Sequence, residues 1–184
     1  ASFRFEYTSL STPTTTVEVE FEGGGQRVLK RQPVMGGYER EAYESWQIES
    51  VAPDGRRVPV SMVWRRDRRT PGKPQPLLLQ GYGAYGISND VYFSSSRVSL
   101  LDRGVIVALA HVRGGCDLGR TWYDEGKLAN KMNSFTDFVA CAQTLVSQGW
   151  TAPPSLVIEG GSAGGLLVGA AMNLRPDLFR AVVA

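Results

Sequence analysis

The sequence predicts an α/β fold, a parallel sheet flanked by helices and preceded by a short β-rich stretch. Three observations predict it. Three apolar runs, Leu77-Leu78-Leu79-Gln80, Val105-Ile106-Val107-Ala108-Leu109-Ala110 and Leu156-Val157-Ile158-Glu159, have strand length and lack polar alternation. Such runs suit strands covered on both faces of a parallel sheet. Between the last two, Ser134 to Gln148 places Phe135, Phe138, Val139, Ala142, Leu145 and Val146 on one face at helical spacing. The last run then passes through Gly160-Gly161-Ser162-Ala163-Gly164-Gly165 into a small-residue run, Leu166 to Asn173, that reads as a helix. Strand, helix, strand, turn, helix is the order of a doubly wound α/β domain.

The elements can be taken in chain order. Phe3-Arg4-Phe5-Glu6-Tyr7 and Thr16-Val17-Glu18-Val19-Glu20-Phe21 alternate with period two, and a Ser/Thr/Pro turn separates them. Gly23-Gly24-Gly25 ends the second run, and Arg27 to Lys30 reads as a third short strand. Three strands cannot bury their faces alone, so this piece needs neighbours. Gln32 to Glu44 reads as a polar connector. Ser45 to Val51 and Val58 to Arg65 flank Pro53-Asp54-Gly55 and read as a hairpin. In the main helix Ser134 with Asp137 has the pattern of a capping box, and Gly149 sits where a glycine cap ends a helix. Asp177, in Arg175-Pro176-Asp177, reads as helix-end chemistry.

Composition narrows the function classes. The chain has 184 residues, is 42% hydrophobic and carries a net charge of +2. That suits a globular core and gives no electrostatic reason to expect nucleic acid or an acidic membrane surface. Arginines cluster at Arg56-Arg57 and Arg65-Arg66-Asp67-Arg68-Arg69, which reads as solvated loop. No apolar stretch reaches about 18 residues, so no membrane span is expected. Cys116 and Cys141 lack metal-ligand spacing.

The glycine-rich stretches carry the chemistry. A serine between glycines at a strand-to-helix turn is the nucleophile elbow of an α/β-hydrolase, which makes Ser162 a candidate nucleophile. The helix after it aims its N-terminus at the site, and the N–H of Ala163 is a natural oxyanion donor. The competing reading is a glycine turn that packs a helix on a sheet. Gly81-Tyr82-Gly83-Ala84-Tyr85-Gly86 leaves the first apolar strand on the same rim; either tyrosine is an oxyanion donor or a packing aromatic. Arg113, in Arg113-Gly114-Gly115, reads as one half of a structural ion pair before a substrate contact. His111 is the single histidine and also lies at a strand end. The hydrolase order places acid and base after the serine, which argues against His111 as the base.

Five ordered blocks give a resemblance: Gly81 to Gly86, His111-Val112-Arg113-Gly114-Gly115, Gly126-Lys127-Leu128-Ala129-Asn130-Lys131, Gly160 to Gly165, and Arg175-Pro176-Asp177-Leu178-Phe179. In these the chain resembles the prolyl oligopeptidase family of serine peptidases, its oligopeptidase B branch most closely. The resemblance implies that residues 1–40 are the end of a β-propeller domain and residues 41–184 the first half of an α/β-hydrolase domain. It implies Ser162 as the catalytic nucleophile, Tyr82 and Ala163 as the oxyanion hole, and Tyr85 and Asp90 as substrate-binding residues. Tyr92 stands where a second acid is expected, and Cys116 where glycine is common. Implied partners are short peptides cut after Arg or Lys, with neither nucleic acid nor membrane, no metal, no organic cofactor, and a cytoplasmic location. The family's triad Asp and His fall beyond residue 184, so the chain is expected to be a fragment and inactive alone. Other readings are prolyl or acyl-peptide specificity, a simple esterase, or a truncated pseudoenzyme that serves as a binding module.

Overall fold

A computed structural model describes all residues, 1–184. The alternating N-terminal runs form an antiparallel meander, β1 (Ser2–Ser9), β2 (Thr12–Glu20) and β3 (Gln26–Arg31), with β2 central. Alternation puts Arg4, Glu18 and Arg27 on one face, where the Glu18 carboxylate accepts from both guanidinium groups at 3.0 and 2.8 Å. The other face carries Phe3, Phe5 and Phe21 as a stacked series. The expected Ser/Thr/Pro turn is shorter than its composition suggests. Only Leu10 and Ser11 turn the chain, and Pro13 lies inside β2, near its start and next to a register shift. Proline's missing N–H is tolerated in a sheet at such places.

The remaining strands form a six-stranded sheet. β4 (Tyr43–Val51) and β5 (Arg57–Arg65) are the hairpin read around Pro53-Asp54-Gly55. β5 joins antiparallel to β7 (Ile106–Ala110), with Val60 opposite Ala110. From there the sheet is parallel through β6 (Leu77–Gly81), β8 (Leu156–Glu159) and β9 (Ala181–Val183), in the order β4-β5-β7-β6-β8-β9. The sheet is thus mixed rather than wholly parallel. The arginine clusters are also more structured than loop: Arg57 and Arg65 belong to β5, and the Arg69 guanidinium lies 4.0 Å from the ring centre of Trp150.

Helices cover both faces. α1 (Ser95–Asp102) buries Val98 and Leu101 against Val63, Val107 and Leu109 on one face. Periodicity gave no sign of it, because those two residues are its only fully buried ones. The short α2 (Arg120–Asp124) is tied to the loop after β7: Trp122 Nε1 donates to His111 O, and Gly114 N–H donates to Trp122 O, both at 3.0 Å. On the other face, α3 (Met132–Ser147) and α4 (Ala163–Leu174) pack Phe138, Leu145, Leu167 and Val168 onto Leu77, Leu79, Ile106, Ala108, Leu156 and Ile158. No helix is long and apolar enough to cross a membrane.

α3 ends as read. Gly149 takes φ +72°, its N–H donates to Val146 O, and Trp150 N–H donates to Leu145 O, both at 3.0 Å. This is a Schellman cap, which satisfies carbonyls that would otherwise lack partners. Gly149→Ala is expected to cost about 1 kcal/mol, the penalty of a Cβ in left-handed backbone. A shift of the urea midpoint at unchanged m-value checks it. The start of α3 is different from the expectation. The helix begins at Met132 and has no side-chain cap. Ser134 and Asp137 both turn inward to tertiary partners, so no capping box forms.

Candidate active site

Strand order decides where a site can lie. β6 leads through α1 to β7 on one side of it, and β7 leads through α3 to β8 on the other. The topology therefore reverses between β6 and β8, and a crevice opens beyond their carboxyl ends. The two glycine-rich turns at Gly81 and Gly160 leave those ends.

At the second turn β8 stops at Glu159, and α4 starts at Ala163. Ser162 lies between them with φ +54° and ψ −120°, a conformation that non-glycine residues rarely adopt. Backbone held in such a region stores about 1–3 kcal/mol and persists where the surroundings enforce it. They do so through close approach. A Cβ on Gly160 would sit 2.1 Å from Gly164 O, and one on Gly164 would sit 2.6 Å from Gly81 O and 3.6 Å from Tyr82 Cα. Only glycines let the two turns touch. As a result Ser162 is exposed at the rim, Ala163 presents the first N–H of α4, which has no acceptor within the helix, and the backbone of Tyr82 lies against that helix's first turn.

The Gly81 to Gly86 turn is tied to the loop after β7: Gly86 N–H donates to Gly114 O at 3.0 Å. Tyr85 has φ +58° and is 74% exposed, with its ring 6.5 Å from that of Tyr82. Asp90 is exposed on the rim of a cleft of about 610 Å³ that Gly160 and Gly161 also line. Tyr85 does not line it. The fold thus brings Ser162, Ala163 and Tyr82 to one place, puts Asp90 on an adjoining cleft, and leaves Tyr85 on the outer surface. The same cleft holds a pair the sequence reading passed over: Gln80 Nε2 donates to Glu159 Oε2 at 2.6 Å. Their signal was a polar residue at the carboxyl end of an otherwise apolar strand.

The remaining candidates are structural. Arg113 is 2% exposed and grips Asp137, itself 0% exposed, through Nε at 2.8 Å and Nη2 at 2.6 Å. Its backbone N–H adds a third bond to Asp137, and its Nη1 reaches Asp54 at 2.6 Å. The hydrogen bond from Arg113 holds the Asp54 carboxyl below the ordinary aspartate range. This ties the β4–β5 turn, the β7 loop and α3 together. His111 is 6% exposed, and both its ring nitrogens are engaged, Nε2 with Ser61 Oγ and Nδ1 with Asp117 Oδ1, each at 2.8 Å. The trio has the bonding order of a catalytic relay, but Ser61 is 7% exposed in the middle of β5, paired on both sides. Ser61, His111 and Asp117 line a separate cleft of about 560 Å³ that neither Ser162 nor Tyr82 lines. The cysteines are free, and burial pushes the Cys141 thiol up, which makes it inert.

The sequence pattern of the prolyl oligopeptidase family matches residues 91–184, just over half of the chain. The chain belongs to the prolyl oligopeptidase family. Within that family it is 47% identical to dipeptidyl aminopeptidase BI of Pseudoxanthomonas mexicana over 98% of its own length and 25% of that protein's. Its fold superposes on oligopeptidase B from Leishmania major with a TM-score of 0.89 and 44% identity, covering 98% of this chain and 25% of that one. Oligopeptidase B from Trypanosoma brucei, solved in a closed form with covalently bound antipain, gives a TM-score of 0.89 at 46% identity, covering 98% and 26%. The chain therefore spans about a quarter of the length of these family members.

Proposed function

We propose that this chain is the nucleophile-bearing part of a serine peptidase that acts on short peptides. The observation that carries the reading is the Ser162 turn: an exposed hydroxyl on strained backbone at the topological switch point, beside the Ala163 N–H and the Tyr82 turn. Ser162 Oγ adds to the peptide carbonyl carbon as its proton passes to a base. The carbonyl electrons move to oxygen, where Ala163 N–H and Tyr82 O–H stabilise the charge. Collapse breaks the C–N bond, the amine leaves with the proton, and water hydrolyses the acyl-enzyme. His111 is locked between Ser61 and Asp117, so we assign the base and its orienting acid to sequence outside these 184 residues.

For substrates, the reading is cleavage after Arg or Lys. Asp90 supports it as an exposed carboxylate on the cleft shared with Gly160 and Gly161. The likeness to proteins named oligopeptidase B points the same way.

A fluorophosphonate probe tests the nucleophile in the full-length protein. Labelling at Ser162, mapped by peptide mass, is expected; labelling at another serine overturns the assignment. Tyr82→Phe is expected to lower kcat by about 10²–10³-fold with KM little changed, the cost of one oxyanion donor. Arg-, Lys- and Pro-containing chromogenic peptides compared side by side test the specificity.

A further inference from the structure

We propose that Lys131 is a positioning residue for the oxyanion donor Tyr82, which it holds in place through the carbonyl of Gly83. The proposal rests on the reading of Tyr82 given above. The Lys131 ammonium donates to Gly83 O and, at 3.1 Å, to Ser134 Oγ. It is half-buried and makes no ion pair, whereas its neighbour Lys127 pairs with Asp124. Burial lowers its pKa, as expected for an ammonium without a counter-charge. The Phe135 ring, 5.6 Å away, offers only a weak cation–π contact. A half-buried charge held this way is costly unless its hydrogen bonds offset the lost hydration. Its acceptors are the carbonyl one residue past Tyr82 and a hydroxyl that is itself fixed, because Ser134 Oγ donates to Arg113 O at 2.5 Å.

The remaining surroundings show what this contact controls. The backbone of Tyr82 has one wall at α4, where Gly164 abuts Gly81 O and Tyr82 Cα. On the far side of the tyrosine, Gly83 packs so closely on Gly114 that a Cβ there would lie 2.1 Å from Gly83 O. Lys131 is the side-chain charge that fastens that carbonyl. Without it the wall at Gly164 and the packing of Gly114 remain, but Gly83 O keeps only the longer Ser134 Oγ contact at 3.4 Å, so the turn after Tyr82 loosens and the phenol shifts with it. A displacement of about 1 Å in a catalytic group costs on the order of 10²-fold in rate. Lys131 does not touch the reacting atoms, so its whole effect passes through Tyr82.

The test is a double-mutant cycle in the full-length protein. Lys131→Met keeps an unbranched apolar stem of about four heavy atoms and removes the charge and the donor. It is expected to lower kcat by about 10–100-fold with KM within about twofold. In the Tyr82→Phe background the same change is expected to lower kcat by less than about twofold, because the group it positions is gone. If Tyr82→Phe slows turnover but Lys131→Met does not, or if the two losses multiply, the positioning role is overturned while the peptidase reading stands. If Tyr82→Phe leaves kcat unchanged, the oxyanion reading and this inference fall together. Should Lys131→Met not fold, Lys131→Leu, which also lacks charge and donor, carries the same cycle with the same expected coupling.

Discussion

Ser162→Ala is expected to lower kcat of the full-length protein by about 10⁶-fold, the loss seen when the nucleophile of a serine peptidase is removed. Nothing nearby can take its place. Ser61 is 7% exposed within β5, on a cleft that Ser162 does not line, and Cys141 is fully buried with a raised pKa. Ser162→Gly is expected to be equally inactive but more stable than Ser162→Ala, by about 1–3 kcal/mol, because glycine accepts φ +54° without strain. The pair separates the two properties of the turn. Chemistry needs the hydroxyl, and the fold tolerates the Cβ that carries it only at a conformational cost. Equal stability of the two variants would show that the turn stores no strain. Retained activity in either would remove Ser162 from the mechanism. The measurements are steady-state hydrolysis and urea unfolding followed on the same preparations.

Asp137→Ala is expected to destabilise the protein by about 3–5 kcal/mol, enough to unfold many domains. The residue accepts the backbone N–H and two guanidinium bonds of Arg113. Both side chains lie out of water, at 0% and 2% exposure. Removing the carboxylate leaves a buried guanidinium whose remaining partners are Asp54, at the surface, and Glu125, at 3.8 Å. By contrast, Arg57→Ala, which removes a pair with Glu49 in which both side chains are more than half exposed, is expected to change stability by less than about 1 kcal/mol. Urea midpoints of the two variants check the contrast. Equal, small shifts would mean that the buried network is relaxed by water.

Much of the fold was legible because its signals are local. Three apolar runs gave β6, β7 and β8, and a helical stripe gave α3, since burial on both faces or on one stripe writes itself into the residue order. The glycines around Ser162 were legible for the same reason, because close approach leaves no alternative residue. Ser134 and Asp137 were misread because the local pattern of a cap is indistinguishable from two polar residues recruited inward. Their partners, Gly83, Arg113 and Gly126, are brought in by the chain crossing of β6 and β7. The antiparallel join of β5 to β7 was not legible either, because register between distant strands leaves no mark on either strand alone.

By itself the sequence determined the apolar strands, the long amphipathic helix and the glycine-flanked serine, because each follows from neighbours along the chain. The tertiary structure decided which of them meet. It set the Tyr82 turn against the first turn of α4, closed His111 between Ser61 and Asp117, buried Arg113 on Asp137, and turned Lys131 toward Gly83. Those outcomes depend on strand order and on close packing between segments far apart in sequence, and no local pattern encodes either.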